Sequence, residues 1–284
     1  MVHMMTDIFE KWFAEYTAEI RSHISTGKAN TERGWSSKDI PAVLDEVDLK
    51  ITHTYLVKEH CIEIAQWLGF TNEDIELAAI VGLFHDLGRF RQALNYGTMD
   101  DRITGLHGEM SADIFLNDAP KDGLTSDDIE LISAALRYHN LYKVPCGLSQ
   151  RTMMFCKLVR DGDKLDIFRF YVDSIKSVEK RIFRFIMSEE DGNYSTEMLE
   201  GVLSGKNLQV SGIRNKNDRK LVQVSLVFDM NFGYTLQKML KENYLADFCG
   251  ISSGTADRVM QKVYDYATQW MKERVALNIQ KDKQ

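Results

Sequence analysis

Long stretches of this 284-residue chain repeat apolar residues with a period of about 3.6, the repeat of an α-helix. Prolines, which interrupt helices, occur at only three positions, 41, 120 and 145. The segment from Ile75 to Phe84 is apolar on nearly all sides, which predicts a helix surrounded by other parts of the protein. The sequence therefore predicts an all-α fold.

Boundary signals place several helices within this pattern. We expect helices over residues 6–25 and about 49–68. Thr71 and Ser126 have side chains that cap helices, and each precedes an apolar, helix-periodic run. The Gly-, Asn- and Lys-rich segment 206–220 is instead expected to be a solvated loop.

The chain contains no internal repeat and no Pro- or Ser-rich linker that would separate domains. We therefore expect a single domain over residues 1–284. Its core should span about residues 45–175, and a C-terminal helical layer should cover about residues 176–284.

The charge balance bears on the partners of the protein. A net charge of −7 disfavours a long nucleic acid or an anionic membrane surface as a partner. No apolar run approaches the length of a membrane span. A small anionic substrate remains compatible with this charge, because a bound metal can reverse the local field.

The four cysteines are widely spaced and form no Cys-x-x-Cys pair. Cys61 and Cys156 fall in helix-like apolar runs, which is typical of buried free thiols. Free thiols suit a reducing compartment, and the acidic, amphipathic start of the chain does not resemble a secretory signal. We therefore expect a cytoplasmic location.

Polar, titratable residues recur in or beside the apolar helical stretches. In chain order they are His53, His85, Asp86, His107, His139 and Asp163. Burying such groups is costly unless they are paired, hydrogen-bonded or bound to metal, and imidazole with carboxylate is a natural ligand set for catalytic transition metals. Each residue alone is more often structural than functional. Their ordered recurrence favours a metal site inside a helical bundle.

The series resembles the HD-domain superfamily of metal-dependent phosphohydrolases. The matching segments are His53-Thr-Tyr-Leu-Val57, His85-Asp86-Leu-Gly-Arg89 and Asp161-Gly-Asp163-Lys164-Leu165-Asp166, and they cover about residues 49–170. The resemblance implies an HD-type helical bundle whose metal ligands are His53, His85, Asp86 and Asp163. His107 and His139 resemble the two extra histidines of the two-metal branch, in which Asp86 would bridge both ions.

This resemblance implies a metal-dependent phosphohydrolase, either a phosphomonoesterase or a phosphodiesterase. One or two divalent transition metal ions (Fe, Mn, Co, Ni or Zn) would activate a water molecule that attacks a small phosphorylated metabolite or nucleotide. Asp86 is the central catalytic candidate. Arg89, which aligns with a basic residue of the HD-GYP pattern, and Lys164, next to Asp163, are candidates for binding the substrate anion.

Two departures from the HD-GYP phosphodiesterase pattern argue against cleavage of cyclic dinucleotides. No Gly-Tyr-Pro motif follows the His85-Asp86 pair, and Asn140 rather than a second histidine follows His139. Two alternative functions stay open: a mixed-valent di-iron oxygenase that uses the same ligands, and a non-catalytic ligand-binding HD domain. The complete ligand set counts against the non-catalytic alternative. The sequence leaves the oligomeric state open.

Overall fold

The computed structural model describes residues 4–27, 39–176 and 190–281, and all regular secondary structure in these ranges is helical. The predicted all-α fold is confirmed. The chain divides into two compact units, Met1–Asp163 and Lys164–Gln284. The single domain, with a core over about residues 45–175, stays a prediction, because compact units can form one domain or two.

The first unit is built from helices whose order follows the chain. They are α1 (Met4–Ser25), α2 (Ile40–Trp67), α3 (Asn72–Phe84), α4 (Leu87–Tyr96), α5 (Asp101–Thr104), α6 (His107–Asp118), α7 (Ser126–Tyr138) and the first part of α8 (Gln150–Lys176). Helix α3 packs against α1, α2 and α7, while α6 packs against α4 and α7. This packing places α3 at the centre of the unit.

Helix α2 begins at Ile40, well before the start predicted near residue 49. Pro41 lies in its first turn, where the missing N–H of a proline costs no helical hydrogen bond. The buried face of this first part includes charged Glu46 and Lys50, so apolar periodicity alone did not reveal it. The predicted start of this helix was therefore wrong.

Capping explains where the central helices begin. Thr71 caps α3 as predicted, because its hydroxyl accepts a hydrogen bond from the backbone N–H of Asp74 at 3.2 Å. Helix α7 is capped by Thr125 instead of Ser126, and Asp128 completes a capping box by bonding back to the Thr125 N–H. The predicted cap of α7 was thus one residue too late.

The helix predicted to be buried on all sides is buried as expected. Every residue of α3 from Leu77 to Phe84 is buried. The ring of Phe84 lies in an aromatic cluster, with its centroid 5.8 Å from that of Phe9 and 5.4 Å from that of Trp12. This packed end of α3 directly precedes His85 and Asp86.

Glycine permits close backbone approach where α6 meets its neighbours. A Cβ atom at Gly88 would collide with the backbone carbonyl oxygen of His107, and one at Gly108 would lie 2.9 Å from that of Arg137. Any larger residue would therefore push α4 and α7 away from α6. These two glycines let the side chains carried by the three helices meet.

The second unit contains the remainder of α8 and a separate set of helices. They are α9 (Thr196–Leu203), α10 (Lys216–Ser225), α11 (Gly233–Lys241), α12 (Tyr244–Phe248) and α13 (Arg258–Lys281), with 3-10 turns at Val210–Gly212 and Leu226–Asp229. Their apolar residues, among them Leu221, Leu236 and Val263, form one buried core. No helix in either unit, within the ranges given above, is both long and apolar enough to cross a membrane.

The loop predicted over residues 206–220 is wrong from Lys216 onward, where α10 begins. Asn215 caps this helix by accepting hydrogen bonds from the backbone N–H groups of Asn217 and Asp218, at 2.9 and 3.1 Å. Asp218 is fully buried and accepts hydrogen bonds from the backbone and hydroxyl of Ser195. Polar residues that look like a solvated loop therefore serve here as caps and internal bonds.

Candidate metal centre

In the first unit the other five predicted metal ligands lie around Asp86, which is only 2 % exposed. His85 and Asp86 lie at the junction where α3 ends and α4 begins. The other four ligands come from separate helices: His53 from α2, His107 from the first position of α6, His139 from the end of α7 and Asp163 from α8. Helix packing, rather than chain proximity, brings these groups together.

One carboxylate oxygen of Asp86 faces the first pair of histidines. Its Oδ2 lies 3.2 Å from Nε2 of His85 and 3.6 Å from Nε2 of His53. Oδ1 of Asp163 lies on the same side, 3.1 Å from Nε2 of His53 and 3.8 Å from Nε2 of His85. Two imidazoles and two carboxylates therefore surround one small space.

The other carboxylate oxygen of Asp86 faces the second pair of histidines. Its Oδ1 lies 3.2 Å from Nε2 of His107 and 3.7 Å from Nε2 of His139. The two Nε2 atoms are 3.0 Å apart. Asp86 thus directs one oxygen toward each pair of histidines, although the sequence alone could not show which oxygen faces which pair.

Backbone carbonyls fix the proton position in two of the histidines. Nδ1 of His85 lies 2.8 Å from the carbonyl oxygen of Gly82, and Nδ1 of His139 lies 2.7 Å from that of Leu136. A carbonyl oxygen only accepts hydrogen bonds, so Nδ1 is the donor in each neutral ring. Nε2 then carries a lone pair that points into the site, the form in which histidine binds a metal.

His107 is oriented by a carboxylate that the sequence interpretation missed. Nδ1 of His107 lies 2.7 Å from Oδ2 of Asp101, the first residue of the short helix α5. Asp101 also accepts hydrogen bonds from Gln92 at 2.9 Å and Arg89 at 2.9 Å. Asn140 lies 3.1 Å from the same ring nitrogen of His107. A metal-binding histidine commonly donates its other ring N–H to a carboxylate, as His107 does here.

Burial and neighbouring charges set the protonation states. Burial lowers the pKa of His85, and burial together with the charge of Arg89 lowers the pKa of His107 to about 3. Burial alone would raise the pKa values of Asp86 and Asp163. The charge of Lys50 beside Asp86 and the imidazole of His53, 3.1 Å from Asp163, outweigh that effect, and both pKa values are lowered. At neutral pH these two histidines are neutral and both aspartates are ionised.

These atoms fit a divalent transition metal. Nε2 of His85 has no hydrogen-bond partner of acceptable geometry, although an oxygen of Asp86 lies 3.2 Å away. Nε2 of His107 and Nε2 of His139 lie 3.0 Å apart, and in neutral rings with protonated Nδ1 both nitrogens carry lone pairs. Such electron pairs repel one another unless a cation lies between them. Imidazole nitrogens with carboxylate oxygens are suitable ligands for Fe, Mn, Co, Ni or Zn.

A lysine that the sequence interpretation also missed lies inside the centre. Nζ of Lys50 is 2.5 Å from Oδ2 of Asp86, and the residue is only 8 % exposed. Lys50 precedes His53 by three positions in α2, and residues at that spacing share a helix face. This spacing was the available signal, because a histidine that faces the core implies that the residue three positions earlier faces it as well.

The two predicted substrate-binding cations have carboxylate partners. Nε of Arg89 is 3.9 Å from Oδ1 of Asp86, while its Nη1 pairs with Asp101 at 2.9 Å. In the second unit, Nζ of Lys164 pairs with Oδ2 of Asp229 at 2.8 Å. Arg89 therefore lies beside the centre as part of the network that orients His107. The substrate roles of Arg89 and Lys164 stay predictions.

Comparison with known protein families agrees with this geometry. The family model of the HD domain matches residues 51–169, a range that includes all six gathered ligands. This segment is therefore similar to HD domains, and proteins of that superfamily are generally metal-dependent hydrolases. No curated protein and no solved structure matches the chain significantly.

Proposed function

We propose that this protein is a metal-dependent phosphohydrolase that acts on a small phosphorylated metabolite or nucleotide, as a phosphomonoesterase or a phosphodiesterase. The observation that carries the proposal is the arrangement of Asp86, whose two oxygens face different pairs of histidines. A carboxylate placed in this way can bridge two metal ions, and paired ions are common in enzymes that cleave phosphate esters.

The ligands divide into two sets around the bridging aspartate. His53, His85, Asp163 and Oδ2 of Asp86 would hold one ion. His107, His139 and Oδ1 of Asp86 would hold the other. Four neutral imidazoles and two carboxylates would leave two divalent ions with a formal surplus of two positive charges. That surplus suits an anionic substrate, even though the whole chain carries a charge of −7.

Divalent ions bound here would lower the pKa of a coordinated water and neutralise the negative charge that develops on a phosphoryl group during hydrolysis. The protein supplies the fixed frame for that chemistry. Burial of Asp86 excludes bulk water, and the carbonyl partners of His85 and His139 keep both rings from turning. Asp101 performs the same task for His107.

The size of the substrate and the cellular location of the protein are further parts of the proposal. The negative net charge supports a small phosphorylated molecule over a long nucleic acid. All four cysteines are free, and Cys61, Cys156 and Cys249 are buried. Free thiols support a reducing compartment, so we propose a cytoplasmic location.

Elemental analysis of protein purified without chelators would test the metal requirement, and phosphate release from nucleotides and sugar phosphates would test the reaction. We expect bound transition metal and phosphate release that Asp86→Ala abolishes. Asp122→Ala, which removes an exposed carboxylate of the same unit, should leave both unchanged. Absence of phosphate release with every metal tested would contradict the proposal. A mixed-valent di-iron signal in electron paramagnetic resonance, accompanied by oxygen consumption, would identify an oxygenase instead.

A further inference from the structure

Lys50 is a buried cation that the proposed hydrolysis does not use. Its Nζ forms a short ion pair, 2.5 Å long, with Oδ2 of Asp86, and their side chains are only 10 % and 2 % exposed. A buried carboxylate is strongly destabilising when its partner is lost, so this pair matters to the folded protein. Lys50 therefore neutralises the central ligand of the site.

The same oxygen is required by the proposed metal centre. Oδ2 of Asp86 is the oxygen that faces His53 and His85, and it is also the oxygen bound by Lys50. An ammonium group 2.5 Å from this oxygen and a divalent ion bound to it would repel each other strongly in a buried site. Lys50 and a metal ion therefore compete for one atom.

The position of Lys50 in α2 defines where its ammonium can move. Its backbone is fixed in a long helix, one turn before His53, so the side chain stays beside the centre. The four-carbon stem of lysine can swing its ammonium to a new partner without movement of the helix. An anionic substrate bound at the metals would offer such a partner within the same space.

We propose that Lys50 is an exchangeable counter-ion, which holds Asp86 in place before metal binds and turns to the anionic group of the substrate once metal has taken Oδ2. Lys50 is a positioning residue in the first state and a substrate-binding residue in the second. The second half of this inference rests on the proposed phosphohydrolase function, whereas the first half requires only that metal binds at Asp86.

Metal titration by calorimetry, with Mn²⁺ added to chelator-treated full-length protein, tests the exchange. Lys50→Met removes the competing charge and retains most of the side-chain volume. We expect Mn²⁺ to bind this variant about tenfold more tightly than it binds the wild type, because a charge-assisted hydrogen bond no longer has to be broken. Without metal, the variant should melt at least about 5 °C lower, since Asp86 loses its nearest cationic partner. Added Mn²⁺ should recover most of that difference.

A matched control is available in the same helix. Lys58 is a part-buried lysine of α2 that pairs with Glu10 at 2.8 Å and with Glu59 at 2.9 Å, neither of which is a predicted ligand. Lys58→Met should lower the melting temperature equally with and without Mn²⁺ and leave the Mn²⁺ affinity unchanged. Lys50→Arg, which retains the charge, should keep the wild-type Mn²⁺ affinity to within a few fold. Equal Mn²⁺ affinity in the wild type and Lys50→Met would overturn the exchange.

Binding of inorganic phosphate to the Mn²⁺-loaded proteins tests the second state. We expect Lys50→Met to weaken phosphate binding about tenfold, and Lys58→Met to leave it unchanged. Equal phosphate affinity in Lys50→Met and wild type would overturn the substrate role of Lys50 while leaving the hydrolase proposal intact. Failure of the wild type to bind Mn²⁺, Zn²⁺ or Fe²⁺ would overturn the proposed function, and the exchange with it.

Discussion

The two halves of the metal centre are held by different kinds of structure. His53 and Asp163 project from the interiors of the long helices α2 and α8. His107 and His139 lie at the ends of α6 and α7, and the carboxylate behind His107 belongs to the four-residue helix α5. The first half therefore depends on packed helices, and the second half depends on helix ends and a short connecting segment.

The two halves also differ in charge. Oδ2 of Asp86 and Oδ1 of Asp163 both face the Nε2 atoms of the first pair of histidines, whereas Oδ1 of Asp86 is the one predicted carboxylate ligand that faces the Nε2 atoms of the second pair. Two carboxylate ligands and firmer packing both favour metal binding, so we expect the first half to hold its ion more tightly once Lys50 has left Oδ2 of Asp86. The metal affinity of one half could therefore be changed by substitution without loss of metal from the other half.

Removal of the shared ligand should have the largest effect, because it damages both halves at once. We expect Asp86→Ala to lose transition metal at both positions and to reduce phosphate release by roughly a thousandfold or more, since the metal-activated water is lost. Elemental analysis and a phosphate-release assay would measure the two effects. Retention of both metals in this variant would show that Asp86 does not bridge the halves.

Removal of a ligand from the second half separates the halves. We expect His107→Ala to bind about one fewer metal per chain than the wild type, because His53, His85 and Asp163 remain in place. His53→Ala is the matched variant in the first half. Its remaining ion, in the second half, should be released to chelator faster than the ion that His107→Ala retains in the first half. Unchanged metal content in His107→Ala would disprove a second metal position.

A smaller effect is expected from the carboxylate that orients the second half. Asp101→Asn retains the size of the side chain but weakens its bond to Nδ1 of His107, which should lower metal affinity or activity by about 10- to 100-fold. Asp100→Asn is a close control, because Asp100 pairs with Arg102 and asparagine can also cap α5. Asp101→Asn with wild-type metal affinity and activity would show that the Asp101 carboxylate does not orient His107.

The smallest predicted effect is the pH dependence of the metal-free protein. Folding lowers the pKa of His107 from an ordinary 6.5 to about 3. As the pH falls, His107 is therefore protonated in the unfolded chain at a higher pH than in the folded protein. Above pH 6.5 this effect leaves the free energy of unfolding unchanged, and between pH 6.5 and 3 it lowers that free energy progressively. At pH 5 the free energy of unfolding is lower by about 2 kcal/mol. Denaturant unfolding of chelator-treated protein at pH 7.5 and 5 would measure this. His107→Gln should show a smaller difference between the two pH values.

The six candidate ligands could be predicted because they are polar residues in or beside apolar, helix-periodic segments of the sequence. His53 and His139 interrupt apolar helical faces, and His85-Asp86 follows a helix that is apolar all round. Lys50 and Asp101 could not be recognised in the same way, because lysine and aspartate are common on exposed helix surfaces and in short connections. Their roles depend on which helices pack together, and a pattern within one helix does not contain that information.

The 3.6-residue repeat of apolar residues, together with capping side chains, was enough to predict that this chain is helical and that the six candidate ligands point inward, because these properties depend on near neighbours along the chain. Only the tertiary structure decided that one oxygen of Asp86 faces each pair of histidines and that Lys50 binds one of them. Those relations join residues from separate helices, and their distances are fixed by packing between helices rather than by spacing along the chain.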